Sequence, residues 1–204
     1  MQISITAKGG ATKNTIIELV NQLAGGENTI TQLLNEWAWE FGYRDLPLTV
    51  DFLKRYSPLP VEEDPKKWPK KMPHAMPNGV GGIVPCTDGA TIWMPSKMNG
   101  RLGVGVFLHE LAHTYLHFPD GPNIELEDPW LKTGEPFSSV WEAEVSAVAY
   151  IVQMICEGEP DCSYNIMFLK LWTGDENELQ RERIMEAVGK IIEHYSSRNG
   201  EEDV

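Results

Sequence analysis

The chain has 204 residues, of which 42% are hydrophobic and 23% are charged. These values are ordinary for a soluble globular protein, and the length suits one domain with a substantial core. No apolar run approaches the roughly 20 residues that a membrane helix requires. The first residues lack the basic and apolar regions of a signal peptide, so we expect a cytoplasmic protein without a membrane partner.

Charge and cysteine content argue against two further classes of protein. The formal net charge of −13 disfavours direct nucleic-acid binding, because phosphate contacts depend on Lys and Arg. The charge is compatible with a basic protein partner, although solubility alone explains it. Cys86, Cys156 and Cys162 form no CxxC pair, which argues against a disulfide framework and a cysteine-type zinc site. We expect free thiols, and the pattern leaves the oligomeric state open.

The amino-terminal part, residues 1–56, is predicted to be helical. Apolar residues recur at helical spacing over 14–24 and again over 29–41. In the second of these helices Trp37 is expected in the core and Trp39 at the surface. The first 80 residues contain no motif that indicates a family.

A segment rich in proline and lysine follows, over residues 57–80. Prolines recur there at a density that blocks regular structure, so we predict a loop or a linker. Long loops in compact domains are often functional, and this one is a candidate for part of a substrate groove. His74 stands alone in this segment and is interpreted as a surface histidine.

Residues 81–198 are predicted to form an α+β domain with a small sheet and a mostly helical body, followed by an acidic tail over 199–204. The sheet signal is a hairpin, in which strands over 82–86 and 90–94 flank a turn-forming tripeptide. The second strand, from Thr91 to Met94, is a candidate edge strand that would lie antiparallel to a bound peptide.

Helical spacing resumes after the hairpin and predicts four further helices. They span roughly residues 102–117, 138–157, 163–172 and 176–196. Ser138 or Ser139 would cap the second of them. The last carries apolar residues on one face, namely Ile184, Val188, Ile191, Ile192 and Tyr195.

The first of these four helices carries the residues for catalysis. His109 and His113 are four residues apart, so both imidazoles project from one helix face and can bind one zinc ion. Glu110 points about 100° away around the axis, where it reaches a water on the metal without ligating the metal. Zinc lowers the pKa of that water, and Glu110 takes the proton as general base and returns it to the leaving amine. Burying these three side chains without a metal would be unfavourable.

A catalytic zinc site usually has three protein ligands, so another element should supply the third. The helix near 138–157 offers Glu142 and Glu144 beside an apolar stripe. Spacing leaves the choice between them open, and the other acid is expected to be a solvated surface glutamate. His117 is rotated about 80° from His109 around the helix axis, so it is interpreted as a helix-end residue or a support for a ligand.

These segments resemble the gluzincin-type peptidases of the ImmA/IrrE group and, more closely, the metallopeptidase domain of ArdC-type antirestriction proteins and their phage and plasmid relatives. The resemblance covers roughly residues 80–195. Its motifs are Phe107-Leu108-His109-Glu110-Leu111-Ala112-His113 and Glu142-Ala143-Glu144-Val145-Ser146-Ala147-Val148-Ala149-Tyr150. The chain departs from the family pattern at Val145, where alanine is usual, and at Ser146, where a glutamate could support the ligand.

The resemblance implies a zincin-like fold and zinc (Zn2+) as the cofactor. It implies His109, His113 and Glu142 as the metal ligands and Glu110 as the catalytic base. It also implies an association with a phage or another mobile element. For residues 81–198 it therefore implies a zincin-like metallopeptidase domain.

Two functions of different classes compete. The leading hypothesis is a zinc metallopeptidase that hydrolyses peptide bonds of a protein partner. The alternative is a non-catalytic antirestriction or DNA-mimic-type binding protein with a structural or vestigial zinc site, in which the charge of −13 acts as a decoy. A zinc hydrolase of a non-peptide substrate is a third reading. The intact Glu110 favours an enzyme, because a structural site has no need of it.

Overall fold

The computed structural model describes residues 29–68, 86–87, 90–98, 100–118, 140–157, 165–166, 169 and 179–199. The helices are α1 (Thr29–Phe41), α2 (Val50–Arg55), α3 (Gly100–His117), α4 (Val140–Glu157) and α5 (Arg181–Ser196). The strands are β1 (Val61–Glu62), β2 (Cys86–Thr87) and β3 (Ile92–Trp93). This is an α+β protein with a small sheet and a mostly helical body. The predicted helix 14–24, residues 200–204 of the predicted acidic tail, His74 and Cys162 lie outside the described residues.

The helix predicted over 29–41 is confirmed as α1. Its apolar residues Ile30, Leu34 and Trp37 are buried, whereas Trp39 is exposed, as predicted. The buried face packs against α4. Burial of a continuous apolar stripe is what stabilises a helix of this length, because an isolated one is marginal in water.

The centre of the core is the pair α3 and α4. Helix α3 is buried on nearly all sides from Gly103 to His113, which its apolar composition allows. Helix α4 packs against α3, α1 and α5, and all five helices contribute to one apolar core. No helix in the part of the chain that the structure describes is long and apolar enough to cross a membrane.

Two predicted helix boundaries shift in the structure. Helix α3 begins at Gly100 rather than near 102, and the φ of +69° at this residue is one that glycine tolerates. Helix α4 is described from Val140 onward, and the predicted start at 138 lies outside the described residues. Helix α5 begins at Arg181 instead of 176, because Gln180 has the non-helical ψ of 87°.

The predicted hairpin is confirmed, with a small shift of its strands. Strand β2 is antiparallel to β3, and Thr87, which was assigned to the turn, pairs with Ile92. The strand order is β1-β3-β2. The prediction of an edge strand from Thr91 to Met94 is therefore wrong, because β3 lies between the two other strands and its backbone groups already have partners.

Strand β1 lies inside the segment predicted to lack regular structure, which corrects that prediction for two residues. Val61 pairs with Ile92 in the parallel direction. The Ile92 amide donates to the Pro60 carbonyl at 2.9 Å, and the Met94 amide donates to the Glu62 carbonyl at 3.2 Å. Proline removes a backbone donor but keeps its acceptor, so a proline-rich segment can still offer carbonyls to a neighbouring strand.

Candidate metal centre

Helices α3 and α4 bring three potential ligands together. His109 Nε2 lies 3.1 Å from Glu142 Oε2, and His113 Nε2 lies 3.5 Å from Glu142 Oε1. One ligand atom from each residue lies within 4.8 Å of the others. Ligand atoms on a tetrahedral zinc ion at about 2.0–2.2 Å are about 3.3–3.6 Å from one another. The observed separations are close to this range, so the three residues could hold a metal ion of this size.

The two glutamates of α4 occupy different surroundings. Glu142 faces His109 and His113, whereas Glu144 Oε2 lies 3.7 Å from His117 Nε2 and 3.5 Å from Arg183 Nη1. Two residues apart on a helix means about 200° of rotation, so the carboxylates cannot share one face. The expectation that one acid is a solvated surface residue is wrong, because Glu144 is only 1% exposed. Packing of α5 against α4 buries it and supplies a cationic partner.

The ring nitrogen of His109 that does not face Glu142 contacts neutral polar groups. Its Nδ1 lies 3.2 Å from Asn165 Oδ1 and 3.3 Å from Ser146 Oγ. The Asn165 amide nitrogen donates to the Gly105 carbonyl at 3.2 Å, which turns the amide oxygen toward the imidazole. An acceptor at Nδ1 favours the tautomer with the proton there, which would leave the Nε2 lone pair free for a metal ion shared with Glu142.

Gly105 permits this close support. A Cβ at this position would lie 3.0 Å from Gln153 Oε1 and 3.1 Å from Asn165 Nδ2. Both contacts are tighter than side chains normally make, and both neighbours are fully buried. The absence of a side chain at Gly105 therefore lets Asn165 reach its carbonyl and His109 at once.

The ring nitrogen of His113 that does not face Glu142 contacts a second imidazole. The Nδ1 atoms of His113 and His117 lie 3.0 Å apart. The His117 ring stacks on Trp141, with ring centroids 4.2 Å apart and an interplanar angle of 17°. His117 thus lies behind His113 rather than among the converging ligand atoms, and its ring position is set by α4.

Glu110 is buried next to the ligands but is not one of the group whose atoms converge among the described residues. Burial raises the pKa of its carboxyl group well above the ordinary range, and the negative charge of Glu142 adds to that effect. A cation bound to Glu142 would reduce this effect of Glu142 on the pKa of Glu110, because its positive charge offsets the negative charge of Glu142.

Cys156 lies on α4 and is a free, buried thiol, as predicted. Burial raises the pKa of this thiol to about 12. The side chain is therefore protonated at neutral pH, and it is not one of the candidate ligands in the described part of the chain.

Two residues that organise this centre were missed by the sequence analysis. Asn165 lies in the helix predicted over 163–172, four residues before Leu169, so the pattern places a polar side chain on the same predicted face as an apolar one. This was a usable signal, since buried polar groups need partners. Arg183 gave no such signal, because charged residues on an amphipathic helix normally face water.

Comparison with protein-family models, curated proteins and solved structures found no match for this chain. The resemblance to gluzincin-type peptidases therefore rests on the motif residues themselves.

Proposed function

We propose that this protein is a zinc-dependent metallopeptidase of the gluzincin type, with a zincin-like fold, that cleaves a protein partner. The observation that carries the proposal is the orientation of two imidazoles. The Nε2 atoms of His109 and His113 both face Glu142, while their Nδ1 atoms lie within hydrogen-bond distance of Asn165 and His117. Histidine ligands of zinc characteristically have their second ring nitrogen occupied in this way.

The chain's own residues divide the work of such a reaction. His109, His113 and Glu142 would hold the ion, and three protein ligands are the number typical of a catalytic rather than a structural zinc site. When bound, zinc supplies Lewis-acid activation of water and of the substrate carbonyl. Glu110 accepts a proton from the attacking water and delivers it to the leaving amine. Its burial supports this role, because a desolvated carboxylate is a stronger base.

The test compares metal content with peptide cleavage in the same protein samples. Wild type, Glu110→Gln and Glu142→Ala are assayed for zinc by mass spectrometry and for hydrolysis of a fluorescence-quenched peptide library. We expect about one zinc per chain and cleavage in wild type, and loss of zinc in Glu142→Ala. Glu110→Gln should retain zinc but cleave at least about 100-fold more slowly, since general base catalysis contributes about that much or more.

Glu36→Gln is the matched control, because it makes the same chemical change at an exposed position on α1. It should behave as wild type. If wild type holds zinc but shows no cleavage that Glu110→Gln abolishes, the peptidase proposal fails and the non-catalytic binding protein becomes the better explanation. If wild type takes up no zinc, the peptidase proposal fails and the non-catalytic binding protein with a vestigial site becomes the better explanation.

A further inference from the structure

Behind His113 a line of polar side chains crosses from α3 through α4 to α5. His113 Nδ1 lies 3.0 Å from His117 Nδ1, and His117 Nε2 lies 3.7 Å from Glu144 Oε2. Glu144 Oε2 in turn lies 3.5 Å from Arg183 Nη1. The side chains of His117 and Glu144 are 0% and 2% exposed, whereas that of Arg183 is 36% exposed. The line thus leads from the ligand to the protein surface.

When His113 binds a metal, the proton donors and acceptors along the line can have only one order. With Nε2 as ligand atom, His113 carries its proton on Nδ1 and donates it to His117 Nδ1. His117 must then carry its own proton on Nε2, the atom 3.7 Å from Glu144 Oε2. This distance is longer than a hydrogen bond, so the Glu144 carboxylate favours that proton position through its negative charge, and Arg183 supplies positive charge beside it. Glu144 therefore favours the required tautomer of His117, and His117 favours that of His113.

We propose that His117, Glu144 and Arg183 are positioning residues that fix the metal-binding tautomer and the ring orientation of His113. The inference rests on the proposed metal site. Arg183, on α5, also donates to the Leu116 carbonyl near the end of α3. Its guanidinium therefore contacts both α3 and α4. Removing outer partners of metal ligands typically weakens metal binding about 10- to 100-fold.

Simple packing is the competing explanation, because His117 is buried and stacks on Trp141. Two substitutions separate the explanations. His117→Phe keeps an aromatic ring against Trp141 but removes the acceptor for His113. His117→Gln loses the ring but keeps an amide oxygen to accept from His113 and an amide nitrogen to donate to Glu144.

The measurement is zinc affinity, obtained by competition with a chromophoric chelator, together with thermal unfolding of the metal-free protein. We expect His117→Phe to bind zinc about 10- to 100-fold more weakly than wild type and His117→Gln to lie closer to wild type. A packing role predicts the reverse order, or equal weakening in both variants, and either result overturns the inference. His194→Phe is the matched control, because His194 on α5 bonds the Tyr56 carbonyl and lies outside the line. The zinc affinity of this variant should equal that of wild type.

Glu144→Gln decides the question if His117→Phe does not fold. It keeps the shape of the side chain but removes the charge that orients His117. We expect weaker zinc binding and a change in the histidine ¹⁵N chemical shifts that report tautomers. An unchanged affinity overturns the inference while leaving the metallopeptidase proposal intact. If wild type itself does not bind zinc, the proposed function fails and this inference falls with it.

Discussion

The two histidines of the candidate centre share one helix face but have different support behind them. His109 is backed by the neutral groups of Asn165 and Ser146. His113 is backed by a second imidazole, beyond which lie Glu144 and the half-exposed Arg183. We call these the neutral arm (His109, Asn165, Ser146) and the charged arm (His113, His117, Glu144, Arg183).

The difference shows how much of a metal site is set locally. Four-residue spacing on a helix determines that both imidazoles face the same way. It says nothing about what lies behind them, which depends on the elements that pack there. The neutral arm is enclosed in the core and should be insensitive to ionic conditions, whereas the charged arm reaches the surface and should respond to salt.

The largest expected effect comes from removing the proposed metal, which both arms would hold in place. At zinc concentrations about 1,000-fold above Kd, binding should stabilise the wild type by about 4 kcal/mol. For a chain of this size that corresponds to a rise in Tm of roughly 8–16 °C relative to chelator-treated protein. Scanning calorimetry of His109→Ala and His113→Ala should show no such difference. A zinc-dependent shift that persists in either variant would mean that the arms do not meet at one ion.

The next largest effect tests the neutral arm. Asn165→Leu leaves His109 Nδ1 and the Gly105 carbonyl without the amide that bonds both, so we expect a loss of about 1–3 kcal/mol of unfolding free energy from denaturant titration. Zinc affinity should fall about 10- to 100-fold. Ser146→Ala is the control within the same arm, because Asn165 still supplies an acceptor, and its effect on both quantities should be smaller. Equal effects of the two substitutions would assign the support of His109 to Ser146 as well.

The smallest effect tests the charged arm at its exposed end. Arg183→Met should weaken zinc binding less than about 10-fold, since ion pairs of partly exposed groups contribute about 0–1 kcal/mol. The difference from wild type should shrink in 1 M salt, where charges are screened within about 3 Å. Lys190→Met removes another cation of α5, one that pairs with Glu186 in solvent, and should leave zinc affinity unchanged. If Arg183→Met and Asn165→Leu show the same salt dependence, the distinction between the arms is lost.

The sequence was most informative where structure follows from local spacing. The bounds of α1 and the common face of His109 and His113 follow from helical periodicity over a few residues. The separate position of Glu110, outside the group of converging atoms, follows from the same geometry. Such features need no knowledge of what packs against the helix.

Other features depend on how distant elements pack and were not readable from spacing. The choice between Glu142 and Glu144 depends on the rotation of α4 about its own axis relative to α3, which no local pattern encodes. Strand β1 was hidden by the prolines around it, which predict a loop, although the carbonyls of Pro60 and Glu62 can still accept hydrogen bonds from β3. Asn165 lies 56 residues from the imidazole that it supports, so only the folded chain brings the two together.

The bond from Arg183 to the Leu116 carbonyl has a consequence for local unfolding. The last carbonyls of a helix have no partner within it, and the final turn of a helix therefore tends to fray. Here α5 supplies a partner for the final turn of α3, so opening that turn also breaks a contact with α5. We expect the amides of both segments to exchange with deuterium as one cooperative unit and to become more protected together when metal is added.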